Sequence, residues 1–180
     1  IKGGAGNDTI NGQEGLDTAV YAGARANYTV TRTANGFTVA DKTGAEGVDS
    51  ITGVERILFA DRGIAFDGTG IGGQAYRVYQ AAFNRTPDSG GVGYWMSVME
   101  KAGVSLNTIA AGFVASDEFK LAYGSAPTNA QLVAKFYENV LHRPAEKAGF
   151  DYWVGVLDMK LSSVPEVLAA ISESAENVNN

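Results

Sequence analysis

Apolar and polar positions follow two different periods along this chain. Up to about residue 70, short runs alternate with period 2 and are rich in Thr, Val and aromatic residues. They predict strands over residues 18–22, 28–33, 37–41, 54–59 and 64–67. Beyond residue 70, apolar residues recur at spacings of three and four, as in Ala75, Val78 and Ala82, which predicts amphipathic helices. The pattern therefore predicts an α+β fold, with strands first and helices second.

Composition changes at the same place. Residues 1–70 hold 13 of the 23 glycines, whereas both tryptophans, Trp95 and Trp153, lie in residues 71–180. A glycine-rich stretch over residues 68–73 marks the change. We expect two domains, residues 1–70 and 71–180. In the first, Asn35-Gly36 between two alternating runs predicts a hairpin turn.

The helical half repeats itself with a single ungapped offset of 58 residues. Identical pairs at this offset include Tyr79 with Tyr137, Arg85 with Arg143, Tyr94 with Tyr152, Trp95 with Trp153, Ser105 with Ser163 and Glu118 with Glu176. Each copy predicts four helices, of which the third begins near Ser105 or Ser163 and the fourth at Ser116 or Ser174. Ser163-Val164-Pro165-Glu166 has the pattern of a capping box. The second half is therefore expected to be all helical, with two tandem repeats.

Charge and composition exclude several classes of function. The chain contains no cysteine, which excludes disulfides, thiolate metal sites and cysteine nucleophiles. A net charge of -6 argues against nucleic acid or an anionic membrane as the main partner, and no apolar run is long enough to insert into a membrane. No nucleophile elbow, zincin motif, phosphate loop or dinucleotide fingerprint occurs, so we expect no enzyme.

The first twenty residues carry the most specific chemistry. Residues 3–11 and 12–20 follow each other in nine-residue register, each with turn-forming glycines and an aspartate at the sixth position. These units resemble the calcium-binding nonapeptides of RTX (hemolysin-type) proteins, in which the glycines let backbone carbonyls meet the ion. The resemblance implies a short β-roll and calcium as the cofactor. The predicted metal-site residues are Gly4, Gly6, Asp8, Gly15 and Asp17. Two ordinary glycine-rich turns are the alternative.

In the roll that this resemblance implies, two nonapeptides form one coil, so that Asp8 and Asp17 face opposite sides. Their partners would lie one coil away, but the positions eighteen residues downstream, Ala26 and Asn35, continue no repeat. We therefore expect a complete calcium site to need residues before Ile1.

Residues 47–61 resemble the closing segment that often follows RTX repeats. There such a segment extends or caps the roll. The acidic residues in and around it could ligate another calcium ion or simply flank turns and face solvent; they are Asp41, Glu46, Asp49 and Asp61.

The helical half resembles a family known as domain of unknown function 4214, also called phycobilisome-linker-like. The resemblance is carried by residues 76–88, 91–95 and 115–119. Such domains often occur beside RTX repeats in secreted bacterial proteins, which implies type I secretion and an extracellular or cell-surface location. A looser similarity to lipopolysaccharide-anchoring regions of surface-layer proteins suggests a glycan ligand.

Several prominent side chains have both a functional and a structural interpretation. Trp95 and Trp153 could stack on sugar rings, but at helical spacing a Trp is more often part of the core. Asn84, Arg85 and Asp88 form a polar cluster, and residues 88–91 could form a calcium loop, but a helix cap by Asp88 with an ion pair or carbonyl contact of Arg85 fits better. His142 lacks any motif that would make it a catalytic base.

The expected function is a non-catalytic, calcium-dependent module of a secreted RTX-type protein. Its expected partners are calcium and cell-surface polysaccharide, exopolysaccharide or a surface-layer protein. One alternative is an export and folding module of a secreted hydrolase whose catalytic domain lies upstream, and another is a linker that assembles surface arrays.

Overall fold

The computed structural model describes residues 1–179, apart from the side chain of Ser89. The chain forms two compact units, Ile1–Asp67 and Gly68–Asn180. The first contains β-sheets and the second contains helices, which confirms the predicted α+β class and the order of its parts. The division falls between Asp67 and Gly68, at the start of the glycine-rich stretch.

Seven strands in two sheets make up the β unit. They are β1 (Thr9–Asn11), β2 (Thr18–Val20), β3 (Tyr28–Thr33), β4 (Gly36–Asp41), β5 (Val48–Thr52), β6 (Arg56–Leu58) and β7 (Gly63–Ala65). One sheet has the order β1-β5-β4-β3 and the other β2-β6-β7. The pairs β1–β5 and β2–β6 are parallel, whereas β3–β4, β4–β5 and β6–β7 are antiparallel.

The chain therefore takes the same step from the four-stranded sheet to the three-stranded sheet twice. The chain passes from β1 in one sheet to β2 in the other, and later repeats this step from β5 to β6. Residues 21–47, which contain the β3–β4 hairpin, lie between the two passes. Ile1 also pairs with β2, because its ammonium group donates to the Thr18 carbonyl (2.6 Å) and its carbonyl accepts from the Val20 N–H (2.8 Å).

The hairpin turn lies one residue earlier than predicted. Thr33 pairs with Gly36, so that Ala34 and Asn35 form the turn and Gly36 begins β4. A Cβ at Gly36 would lie 2.0 Å from the Ile51 carbonyl oxygen. Glycine is needed here because the backbone of β5 approaches too closely for any side chain.

Apolar side chains from both sheets form one core in the β unit, and this core includes Ile10 of β1 and Ala19 of β2. An aromatic cluster of Tyr21, Tyr28 and Phe59 lies within it, with ring centroids 5.0 to 5.7 Å apart. Such contacts add to the free energy gained from burying the rings.

Eight helices make up the second unit. The first repeat contains α1 (Ile71–Phe83), α2 (Ser89–Ala102), α3 (Leu106–Ala115) and α4 (Asp117–Tyr123). The second contains α5 (Asn129–Leu141), α6 (Lys147–Asp158), α7 (Val164–Ser172) and α8 (Ala175–Val178). Equivalent helices pack against each other, α1 on α5 and α3 on α7. None of the helices within residues 1–179 has the length and apolar character needed to cross a membrane.

The predicted helix starts are confirmed by their caps. The hydroxyls of Ser105, Ser116 and Ser174 each accept a backbone N–H three residues later. At the capping box, the Ser163 N–H donates to the Glu166 carboxylate (2.7 Å). These contacts satisfy N–H groups that the helix itself leaves unpaired, and they are local enough to be visible in the sequence.

The core of the helical unit is shared by both repeats. Phe136 is fully buried at its centre, with Val78, Val133, Val167 and Leu168 equally inaccessible. Asn139 is buried as well, and its side-chain amide donates to the Ala81 carbonyl (3.0 Å), which joins α5 to α1.

Candidate functional sites in the two units

The loop before β1 is shaped by glycines. Gly4 and Gly6 have φ values of +111° and +103°, and Gly15 in the following loop has +115°. Residues with a side chain rarely adopt this left-handed conformation. Gly3 has a different role, because a Cβ there would lie 2.6 Å from Oδ2 of Asp8. The loop thus leaves room for the Asp8 carboxylate against the backbone.

One oxygen of Asp8 lacks a partner. Its Oδ2 is buried and accepts no hydrogen bond from any described residue. A buried carboxylate oxygen without a donor is costly, so that a ligand with positive charge would be favoured at this point. The predicted site residues of this loop, Gly4, Gly6 and Asp8, therefore fit a cation, whereas Gly15 and Asp17 belong to the separate loop before β2.

The residues beside Asp8 and Asp17 come from 41 and 38 positions downstream, and not from the eighteen positions that the nine-residue register suggests. Because β1 pairs with β5, Asp8 stands beside Asp49, and because β2 pairs with β6, Asp17 stands beside Glu55. The positions eighteen residues downstream, Ala26 and Asn35, lie instead in the inserted segment 21–47. A signal for the correct partner was present, since residues 8–12 (DTING) resemble residues 49–53 (DSITG) at an offset of 41.

Side-chain hydrogen bonds also join the upstream and downstream segments. The Asp8 N–H donates to Oδ1 of Asp49 (2.9 Å), and the Asp17 N–H donates to Oε2 of Glu55 (2.9 Å). Asp49 is 1% exposed, and its Oδ2 accepts from the Tyr21 hydroxyl (3.0 Å). The downstream carboxylates of Asp49 and Glu55 therefore bind backbone amides of the upstream segment.

The other acidic candidates of the β unit are engaged in turns and pairs. The Asp41 carboxylate accepts from the N–H groups of Thr43 and Glu46, which lowers its pKa. The Asp61 carboxylate accepts from the Arg25 N–H (2.7 Å). Within residues 1–179, no three acidic or histidine side chains cluster as a metal site would require.

Two buried tyrosines in this unit contact carboxylates. The Tyr28 hydroxyl donates to Glu46, and burial followed by this hydrogen bond raises the pKa of Tyr28 to about 12. Burial, followed by the hydrogen bond to Asp49, raises the pKa of Tyr21 as well. Both phenols therefore remain protonated donors throughout the neutral range.

In the helical unit, the exposed aromatic residues are tyrosines. Trp95 and Trp153 are half-buried, whereas their neighbours Tyr94 and Tyr152 are 61% and 62% exposed. Each tyrosine ring meets the edge of its tryptophan, with centroids 4.9 Å apart in both repeats. The predicted candidates for stacking are the tryptophans, but the adjacent tyrosines present more surface.

The polar cluster around Arg85 is structural. Asp88 caps α2 through the Gly91 N–H (2.7 Å), while Arg85 pairs with Glu118 (2.9 Å) and not with Asp88. Asn84 ends α1 in the left-handed conformation. His142 ends α5 in the same way, and its Nε2 lies 3.3 Å from the Gln80 amide nitrogen.

The second repeat contains a cleft that the sequence did not reveal. It has a volume of about 210 Å³ and is lined by Tyr137, Leu141, Glu146, Trp153, Ile171 and Glu176, among others. Arg143 joins its two carboxylates, with distances of 2.7 Å to both Glu146 and Glu176.

Comparison with known proteins identifies the helical unit. No curated protein and no solved structure matches the chain. The family model described as "Domain of unknown function (DUF4214)" matches residues 75–120 and 110–180, which confirms the resemblance expected for the helical half. These matches cover more than half of the sequence, and the chain therefore belongs to the DUF4214 family.

Proposed function

We propose that the chain is a non-catalytic module of a secreted RTX-type bacterial protein. In this proposal calcium stabilises the β unit outside the cell, after type I secretion, and the helical unit attaches to cell-surface polysaccharide or exopolysaccharide. The observation that carries the proposal is the buried, unpartnered Oδ2 of Asp8 beside the left-handed glycines Gly4 and Gly6. Calcium takes six to eight oxygen ligands, both carboxylates and backbone carbonyls.

The strand order supports an RTX-type roll. Ile1 lies eighteen residues before Ala19, a separation that equals two nonapeptides. It pairs with Thr18 and Val20, the residues of β2 on either side of Ala19. The chain then makes a further coil through β5 and β6 once the inserted segment has ended. A repeated step between two sheets with parallel neighbours is what stacked coils require.

One calcium ion would be held by the carboxylate of Asp8 and backbone carbonyls at Gly4 and Gly6, and a separate ion by the carboxylate of Asp17 and the backbone carbonyl of Gly15. Each ion would supply positive charge and strong oxygen coordination, and so would favour the folded state by mass action. Asp49 and Glu55 are already hydrogen-bonded to backbone amides. Any remaining ligands would therefore come from the opposite side of the loops, where a further coil would stack.

A calorimetric titration with calcium tests this part of the proposal. We expect Asp8→Asn to weaken calcium binding at least tenfold, both in the chain and in a version extended at Ile1 by two further nonapeptides. Asp151→Asn, an exposed carboxylate on α6, is the control and should leave binding unchanged. Equal heats for Asp8→Asn and the control, in both versions, would contradict a calcium site in this loop.

Polysaccharide binding is supported by the exposed tyrosines. Tyr94 and Tyr152 occupy equivalent positions in the two repeats and are held edge-on by Trp95 and Trp153. Flat aromatic rings of this kind, half supported and half exposed, suit the apolar faces of sugar rings. Two equivalent platforms would also increase retention on a repetitive polymer through multivalency.

Retention on intact bacterial cells and on isolated exopolysaccharide tests this second part. We expect the double variant Tyr94→Ala, Tyr152→Ala to lose retention, whereas Tyr76→Ala on α1 should retain it. Tyr76 is 40% exposed and serves as a matched control for the loss of an exposed phenol. Retention that is equal in both variants would refute the role of these platforms.

A further inference from the structure

The two helical repeats share a frame but differ in what fills the space beside it. In the first repeat, Phe83 and Phe113 lie 5.0 Å apart, and Trp95 meets Phe113 edge-on at 5.3 Å. The aligned positions of the second repeat are Leu141 and Ile171. These smaller side chains line the cleft of about 210 Å³ that opens there.

The walls of this cleft combine aromatic surface with negative charge. Tyr137 and Trp153 supply ring surface, and Glu146 and Glu176 supply carboxylates. Arg143 pairs with both carboxylates, which leaves the group with a net charge of -1. Gly149 is required beside it, because a Cβ there would lie 2.5 Å from the Tyr137 hydroxyl and 2.6 Å from Oε1 of Glu146.

The first repeat shows which chemical group suits such a place. The Arg85 guanidinium lies 4.8 Å from the centroid of the Tyr79 ring, donates to the Tyr79 hydroxyl and pairs with Glu118. A guanidinium over an aromatic face, paired with a carboxylate, combines a cation–π contact with charge-assisted hydrogen bonds. The first repeat thus supplies its own cation to its own tyrosine.

In the second repeat the equivalent arginine, Arg143, has an additional carboxylate partner. Arg143 donates to Glu146 (2.7 Å) as well as to Glu176, and no arginine or lysine of residues 1–179 lies over the Tyr137 ring as Arg85 lies over that of Tyr79. A difference in sequence accompanies this contact, since Glu146 aligns with Asp88 and is one methylene longer. Asp88 instead caps its own helix.

We propose that the cleft of the second repeat binds a guanidinium group, which takes the position over Tyr137 that Arg85 takes over Tyr79. The group comes either from an arginine side chain of a partner protein or from a small guanidino compound. This site is separate from the exposed tyrosines invoked above for polysaccharide, and it does not depend on that function.

The two tryptophan indole N–H signals in a ¹H–¹⁵N NMR spectrum provide a direct test, with Trp95→Phe to assign them. Methylguanidinium at millimolar concentration should shift the Trp153 signal saturably and leave the Trp95 signal in place. Methylammonium should bind at least several-fold more weakly, because it cannot form the forked hydrogen bonds. Equal shifts at both tryptophans, no saturable shift, or a preference for a neutral methyl glycoside would overturn the proposal.

Two variants keep the test independent of folding. Leu141→Phe with Ile171→Phe copies the filling of the first repeat and should abolish the shift. Glu146→Asp restores the shorter carboxylate and should weaken binding at least tenfold, because Arg143 can then return over Tyr137. Undiminished binding in a folded Glu146→Asp protein would refute the mechanism. A Gly-Arg-Gly peptide that binds tenfold more tightly than methylguanidinium would identify a protein partner, and equal affinity would identify a small compound.

Discussion

The buried carboxylate of Asp49 should be the most sensitive single position of the β unit. It joins segments that are distant in the sequence, because it accepts the Asp8 N–H at 2.9 Å and the Tyr21 hydroxyl at 3.0 Å while only 1% exposed. Hydrogen bonds to a charged group contribute about 1.5–3 kcal/mol each. Asp49→Ala removes both and leaves two donors unpaired, so we expect a loss of about 3–5 kcal/mol, part of the bond energy being offset by release of a buried charge.

Such a loss is large for a unit of this size, since natural domains are stable by only about 0.05–0.15 kcal/mol per residue. Asp49→Asn keeps the shape and one acceptor and should cost about 1–2 kcal/mol. Asp61→Ala is the control, because its carboxylate, which accepts the Arg25 N–H, is far more exposed than that of Asp49. We expect it to cost much less stability than Asp49→Ala, since exposed charged groups contribute little.

Hydrogen exchange measured by mass spectrometry can separate the two units. Peptides from residues 1–67 should lose protection in Asp49→Ala, while peptides from the helical unit act as an internal reference. Urea unfolding followed by tryptophan fluorescence should be unchanged, because both tryptophans lie in the helical unit. If Asp49→Ala loses no more hydrogen-exchange protection than Asp61→Ala, the Asp49 carboxylate does not stabilise the β unit through its two hydrogen bonds and the reasoning is wrong.

Three further predictions concern the core, the pH dependence and the hairpin. Phe136→Ala in the fully buried centre of the helical unit should cost about 3–5 kcal/mol in urea unfolding followed by tryptophan fluorescence, and a loss below about 1 kcal/mol would contradict its central position. The pKa of Tyr28 is about 12 in the folded protein and about 10 when unfolded. Its contribution to the free energy of unfolding is therefore fully present below pH 10 and disappears as the pH rises through 12. Circular dichroism from pH 8 to 12.5 should show this loss, and Tyr28→Phe should show less dependence on pH over the same interval. Gly36→Ala should destabilise the hairpin far more than Gly63→Ala, because the new Cβ would meet Ile51 O at 2.0 Å in the first case and nothing closer than 3.7 Å in the second; equal melting temperatures would contradict the close approach.

The helical unit could be predicted from the sequence because its signals are local. Ser105, Ser116 and Ser174 each cap a helix through a backbone N–H three residues later. The offset of 58 also allows each helix to be predicted from two copies of the repeat. Caps and amphipathic stripes depend on neighbours along the chain, which a single sequence displays directly.

The pairing of β1 with β5 and of β2 with β6 was not predicted, because its signal is not local. Asp49 reaches Asp8 across 41 residues, and the intervening segment 21–47 breaks the nine-residue register on which the expectation rested. Parallel strand pairing depends on which segments meet in space, and spacing along the chain does not determine that once an insertion is present. Comparing residues 8–12 with 49–53 by residue type would have revealed it.

The cleft was not predicted because it results from a difference between the repeats, with Leu141 and Ile171 in place of Phe83 and Phe113. This difference also bears on how the two repeats can diverge. The ion pairs Arg85–Glu118 and Arg143–Glu176 occupy the same place in both repeats, so this part of the helical frame does not depend on the aromatic filling. Replacing large by small residues at a single packed site usually costs stability. In the second repeat the loss of stability is smaller, because solvent reaches the open space and because Arg143 has a second carboxylate partner. Two copies of the same helical arrangement therefore allow the first repeat to keep its aromatic packing while the second contains an open, charged cleft. This difference is the physical reason to seek a ligand in the second repeat only.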